Sequence, residues 1–230
     1  MSNCFILSAK LLPEYLKEAG YSTHLVGKWH LGFGHNGTLP LERGFDSFYG
    51  ILGAEFHPFL HSMGRPMLYD GENLVDQSGD YATYLFSDRA AEIVKRSSDQ
   101  PKFIYLSYTA PHSPHAAPED LKTTVRKELF SQKEIQKTKA IHRITEEFVT
   151  YQAMIRAMDI GVKQIYEAAQ QQTDRETIIV FTSDNGAATR YTVWKPKPFF
   201  VYGRKDDKVS ATGCNYPLKG KKSSLNEAGF

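Results

Sequence analysis

Helical and strand periodicities alternate along this chain, and each strand-like run is followed by polar, ionisable residues. Leu11, Leu12, Tyr15, Leu16 and Ala19 recur at helical spacing, Gly20 stops that helix, and Thr23 to Val26 follows as a short strand. A helix over about 81–96 precedes Phe103 to Tyr108, an apolar run suited to a buried strand. Phe148, Tyr151, Met154, Ile155, Met158, Val162, Ile165 and Tyr166 form a third helical stripe, and Ile178-Ile179-Val180-Phe181 is the third expected strand. Met67-Leu68-Tyr69 and Leu74-Val75 flank Asp70-Gly71-Glu72-Asn73 as a small peripheral hairpin. Such alternation predicts an α/β fold, a mainly parallel sheet flanked by helices. From Thr189 onward Pro196 and Pro198 break regular structure, and the tail is dense in Lys, Gly and Ser.

Composition narrows the possible partners. With 230 residues, 41% of them hydrophobic, the chain can bury the core of one domain. Lys and Arg number 28 against 26 Asp and Glu, so the chain as a whole offers no electrostatic footprint for nucleic acid or an acidic membrane. Specificity has to come from local sites. Cys4 to Leu7 lacks the basic start and cleavage site of a signal peptide, and no apolar stretch is long enough to cross a bilayer. On its letters alone the chain reads as soluble and cytosolic. Cys4 and Cys214 make neither a disulfide framework nor a zinc knuckle. Asn36-Gly37-Thr38 is a glycan acceptor sequon, meaningful only in a secreted chain.

The chemistry sits after the strands. Thr23 to Val26 leads into Gly27-Lys28-Trp29-His30-Leu31-Gly32, Phe103 to Tyr108 into Ala110-Pro111-His112-Ser113-Pro114-His115, and Ile178 to Phe181 into Ser183-Asp184-Asn185-Gly186. If those strands run parallel and adjacent, the three clusters converge at the carboxyl ends of the sheet, where open α/β folds bind ligands. Any one cluster could be an ordinary loop; three in step are harder to dismiss. Asp and Asn oxygens are hard ligands that suit Ca²⁺ or Mg²⁺ better than zinc. Lysines and histidines beside such a cation can hold a tetrahedral oxyanion as a leaving group departs. Sulfate or phosphate ester hydrolysis fits that set.

The same residues carry a family resemblance. GKWHLG, preceded by LLPEYLKEAGYSTHLV, resembles the sulfatase segment in which a lysine and a histidine line the sulfate pocket. APHSPHAAPED is similar to the loop whose first histidine contacts the sulfate ester, and VFTSDNG to the strand end whose Asp and Asn bind the metal. Asn215-Tyr216-Pro217-Leu218-Lys219-Gly220-Lys221-Lys222 is similar to the arylsulfatase B-like stretch NWPLRGRK. The resemblance implies an alkaline phosphatase-like sulfatase fold, incomplete here, with a partial catalytic domain over 9–230 and residues 1–8 outside it. It implies that Lys28 and Lys222 clamp the sulfate, His30 orients a formylglycine nucleophile, His112 assists the leaving oxygen, and Asp184 and Asn185 hold Ca²⁺ or Mg²⁺. The implied substrate is a sulfated small molecule or sulfated glycan, with neither nucleic acid nor membrane as partner. For the full-length family it implies a lysosomal or secreted glycoprotein, with Asn36 as its acceptor.

Departures from the family pattern are equally specific. Formylglycine forms from the cysteine of a CxPSR motif, and none occurs among the 230 residues; Cys4 in CFILS lacks the proline and the arginine. The family's first-strand aspartate pair is absent, and Asp206-Asp207 reads as a solvated turn. The chain as written is therefore expected to be inactive. A non-catalytic sulfatase remnant and a phosphodiesterase or phosphonate hydrolase of the same superfamily are the alternatives. Trp29 reads as a packing residue, as do His57, His61, His115 and His142 unless exposed, with His61 the best further candidate near a substrate entrance.

Overall fold

The computed structural model describes residues 8–33, 37–53, 56–62, 64–131, 146–172, 174–187 and 222. They fall in two compact units, one of Met1–Ala110 with Arg156–Glu176, the other of Pro111–Ile155 with Thr177–Phe230. Asn36 lies outside the described residues, as does the tail apart from Lys222.

The first unit is built on a five-stranded sheet. Helix α1 (Leu12–Glu18) starts with Pro13 in its first turn, and the Glu14 carboxylate accepts the Leu11 backbone N–H at 2.5 Å. Strand β1 (Ser22–Lys28) follows, then β2 (Ser47–Ile51), β3 (Leu68–Asp70), β4 (Asn73–Leu74), helix α2 (Ala82–Lys95) and β5 (Lys102–Ser107). The order across the sheet is β4-β3-β2-β1-β5. β1 is parallel to β2, with Lys28 opposite Ile51, and parallel to β5, with Gly27 opposite Ser107. β3 and β4 extend the sheet antiparallel as the expected hairpin.

Alternating side chains load both faces of this sheet. Val26, Tyr49, Ile51 and Leu68 join Phe86, Ala82 and Ile93 of α2 and Phe56 in one cluster, while Leu25, Trp29, Phe45 and Phe48 form another. Phe86 is fully buried, edge-on to Tyr49 and stacked on Phe56. Truncating such a ring to Ala costs roughly 3–5 kcal/mol. Gly27 lets β1 and β5 come together at this point. It has φ +106°, and a Cβ there would overlap the Ser107 carbonyl oxygen and lie 2.7 Å from its carbon.

Helix α3 (Glu119–Ser131) lies in the second unit, and helix α4 (Glu146–Gln170) gives residues to both. Glu119, Lys122, Arg126 and Glu146 form a surface ion network across the helix starts, with Arg126 bonded to Glu119 at 2.9 Å and to Glu146 at 2.5 Å. Exposed pairs of this kind contribute about 0–1 kcal/mol each.

Two expectations about strands change. Phe103 to Ser107 is a strand, but β5 is the last in the sheet and none of its side chains is fully buried. Ile178-Ile179-Val180-Phe181 forms no strand; Ile178 is 85% exposed and Val180 81%. An apolar run supplies surface for a sheet to bury, but a strand also needs a ladder partner, and none of the described residues pairs with this run.

Candidate active site

Lys28 closes β1 and is half-buried, and His30 beyond it is exposed. The backbone between them is fixed by continued pairing with the β2 side. Trp29 N–H donates to the Ile51 carbonyl at 2.9 Å and His30 N–H to the Leu52 carbonyl at 3.1 Å. Trp29 is buried, edge-on to Phe45, and its indole N–H donates to the Thr38 carbonyl at 2.8 Å. It is the packing residue its sequence context implied. With Trp29 turned inward, His30 faces water at φ +60°, a left-handed conformation costing roughly 1–2 kcal/mol for a non-glycine residue. Strain of this kind persists where surrounding contacts over-determine the backbone, and it clusters at functional sites.

β5 ends level with β1, so the segments leaving the two strands depart from the same edge of the sheet. Tyr108 is tied down by a 2.6 Å bond between its hydroxyl and Ser87 Oγ. His112, in the second unit, has Nδ1 2.7 Å from the Ser113 carbonyl. A carbonyl only accepts, so Nδ1 carries a proton and donates, which assigns the reactive position to Nε2. His115 lies edge-on to Tyr151, ring centroids 5.6 Å apart. Burial, then the neighbouring His112, pushes its pKa down to about 4, so it is neutral at ordinary pH.

Asp184 is exposed at a bend and Asn185 is half-buried beside it. The Asn185 amide nitrogen donates to the Gly186 carbonyl at 3.0 Å, which leaves Oδ1 as the acceptor on that side chain. Lys222 N–H donates to the Ala187 carbonyl at 3.0 Å, two residues from Asn185, so the tail lysine is held beside the expected metal-binding turn. A carboxylate and an amide oxygen fit a hard cation in type. In number they fall short of the roughly 6–8 oxygens Ca²⁺ takes, and the described residues hold no group of three His, Cys, Asp or Glu that could bind a metal.

The structure thus sorts the expected residues into two sets, Lys28 and His30 in the first unit and His112, Asp184, Asn185 and Lys222 in the second. His61, the further candidate, is buried at φ +48°, stacked on Phe56 and bonded through Nε2 to the Asp80 carbonyl at 3.0 Å, which makes it a packing residue. What the sequence reading missed is β2. Its end carbonyls pin the Trp29-His30 segment, and the signal was the apolar run Phe48-Tyr49-Gly50-Ile51-Leu52 directly before Gly53.

A mixed sheet with the parallel core β2-β1-β5, flanked by helices, places the chain in the alkaline phosphatase-like fold that its solved sulfatase relatives share. The sulfatase family model matches residues 5–230, and the chain belongs to that family. It is 30% identical over 238 residues to mouse arylsulfatase J, covering 99% of this chain and 34% of that protein. To human N-acetylgalactosamine-6-sulfatase it is 29% identical over 197 residues, covering 79% of this chain and 33% of that one. The crystal structure of Ps i-CgsB in complex with k-i-k-neocarrahexaose matches with a TM-score of 0.73 at 29% identity, over 100% of this chain and 48% of that one. The chain spans about a third to a half of the length of such relatives. Among the described residues no helix is long and apolar enough to cross a membrane.

Proposed function

We propose that this chain is part of a sulfuric ester hydrolase of the arylsulfatase B-like kind, acting on sulfated sugars with a divalent cation. The observation that carries the reading is the strained, exposed His30 held rigidly beside Lys28 at the carboxyl end of β1. In this reading Lys28 and Lys222 neutralise the sulfate oxygens, and His30 orients the nucleophile. His112, in its protonated form, gives its Nε2 proton to the leaving sugar oxygen as the S–O bond breaks. Asp184 and Asn185 would hold Ca²⁺ or Mg²⁺, which when bound polarises sulfate oxygens. The formylglycine that the family resemblance implies is not among these 230 residues. Support for a sulfated glycan substrate comes from the oligosaccharide complex and from the galactosamine sulfatase among the relatives. We read the full-length protein as secreted or lysosomal with a glycan at Asn36, on the family resemblance and the sequon.

The test joins these residues to a segment carrying a modified CxPSR motif and the aspartate pair, then assays a chromogenic sulfate ester and a sulfated galactosamine. Turnover lost in Lys28→Ala and His112→Ala supports the reading. A modified protein that binds Ca²⁺ but hydrolyses only phosphate diesters would overturn it.

A further inference from the structure

We propose that Phe33, with Leu31 beside it, is the platform on which the sugar ring bearing the sulfate stacks, so that this loop selects a saccharide sulfate over the bare anion. The proposal rests on the reading of Lys28 and His30 as sulfate-binding residues and adds the determinant for the group to which sulfate is attached.

Phe33 is 66% exposed and Leu31 40% exposed, whereas Trp29, Phe45 and Phe48 of the same neighbourhood are buried. Burying a Phe side chain is worth roughly 1.5–3 kcal/mol, so a phenyl ring held in water on a pinned loop forgoes stability that a bound apolar surface returns. The loop is pinned on both sides. Trp29 is bonded to Ile51 at the end of β2 and His30 to Leu52 just after it, and Trp29 is bonded again to Thr38. Gly32, the residue before Phe33, also meets Thr38, whose Cβ would lie 2.6 Å from a Cβ built on the glycine. Since both Trp29 and Gly32 touch Thr38, the segment curls over that residue instead of running straight out. Phe33 is three residues beyond His30, so its backbone lies within the roughly 11 Å that three extended residues could span.

Sulfate itself needs charge and hydrogen-bond donors and has no use for an aromatic ring. A pyranose offers a flat face of C–H bonds that packs on such a ring while its hydroxyls and its sulfate point outward to polar partners. Exposed aromatic surface on the segment that carries Lys28 and His30 matches that division, as ligand sites commonly combine apolar walls with a few placed polar groups. No substitution of the buried core is needed to test it, because Phe33 is on the surface.

The experiment measures affinity of the 230-residue chain for inorganic sulfate and for a sulfated carrageenan oligosaccharide, in the wild type, Phe33→Ala, Phe33→Trp and Lys28→Ala. Phe33→Ala is expected to weaken the oligosaccharide about tenfold, the scale of one aromatic stack, and to leave sulfate unchanged. Phe33→Trp should retain oligosaccharide affinity, and Lys28→Ala should weaken both probes. If Phe33→Ala binds the oligosaccharide like the wild type while Lys28→Ala weakens both, the platform is wrong and the sulfate pocket stands. If Lys28→Ala changes neither probe, the pocket fails and the platform with it. A wild-type chain that does not bind the oligosaccharide overturns the platform as well.

Discussion

Gly27→Ala tests the geometry that aligns the ends of β1 and β5. The new methyl overlaps the Ser107 carbonyl oxygen and lies 2.7 Å from its carbon, so the two strands must separate or the methyl must stay strained. A second cost comes from φ +106° itself, but that can be subtracted. Gly79 has the same φ of +106° with nothing within 4 Å of where an alanine methyl would sit, so Gly79→Ala carries the backbone strain without the collision. Backbone strain costs about 1–2 kcal/mol in either variant. The collision adds about 1–3 kcal/mol at Gly27 alone, the usual penalty of overpacking. Urea unfolding of the two variants and the wild type, extrapolated linearly to water, reads the difference. Gly27→Ala should be less stable than Gly79→Ala by at least about 1 kcal/mol. Equal stabilities would refute the close approach, and with it the argument that β1 and β5 deliver their following segments to one edge.

Three further outcomes follow from particular contacts. Gly161→Ala, which in an exposed helix would gain about 1 kcal/mol, should instead destabilise by about 1–3 kcal/mol, because the methyl overlaps Ser87 Oγ and lies 2.6 Å from the Tyr108 hydroxyl; Ser87→Ala in the same chain should recover part of the loss on a thermal melt. His115 has its folded pKa lowered to about 4 from 6.5, so the unfolded chain binds the extra proton first and stability falls as pH drops from 6.5 towards 4. Replacing it in His115→Gln should flatten unfolding free energy against pH in that window by up to about 1.4 kcal/mol per pH unit, and an unchanged slope would contradict the burial. Calorimetry of the 230-residue chain with CaCl₂ should show only weak binding, since Asp184 and Asn185 give two side-chain ligands where about 6–8 oxygens are preferred; tight binding would mean that other residues complete the site.

Much of the first unit was legible because its periodicities are clean. Leu11 to Ala19 and 81–96 repeat every three to four residues and became α1 and α2, and the turn Asp70-Gly71-Glu72-Asn73 joins β3 to β4 as expected. Ser47–Ile51 escaped because four of its five residues are buried, so no polar alternation marks it as a strand. The opposite error fell on Ile178 to Phe181, where hydrophobicity looked like a buried strand and pairing, a non-local property, did not follow. Lys28, His30, His112, Asp184 and Asn185 stood out because each follows a strand-like run, and Lys222 because of the family resemblance. Local sequence could not announce the left-handed turn at His30, set by Ile51, Leu52 and Thr38. Nor could it announce the burial that keeps His115 neutral.

A crystal structure of this chain grown or soaked with inorganic sulfate tests the proposed function most directly, because that function needs Lys28, at the carboxyl end of β1, to hold the anion. The expected result is a sulfate at the end of β1 with Lys28 Nζ within about 3 Å of its oxygens. Sulfate bound elsewhere on the chain, with the end of β1 left empty, would contradict it.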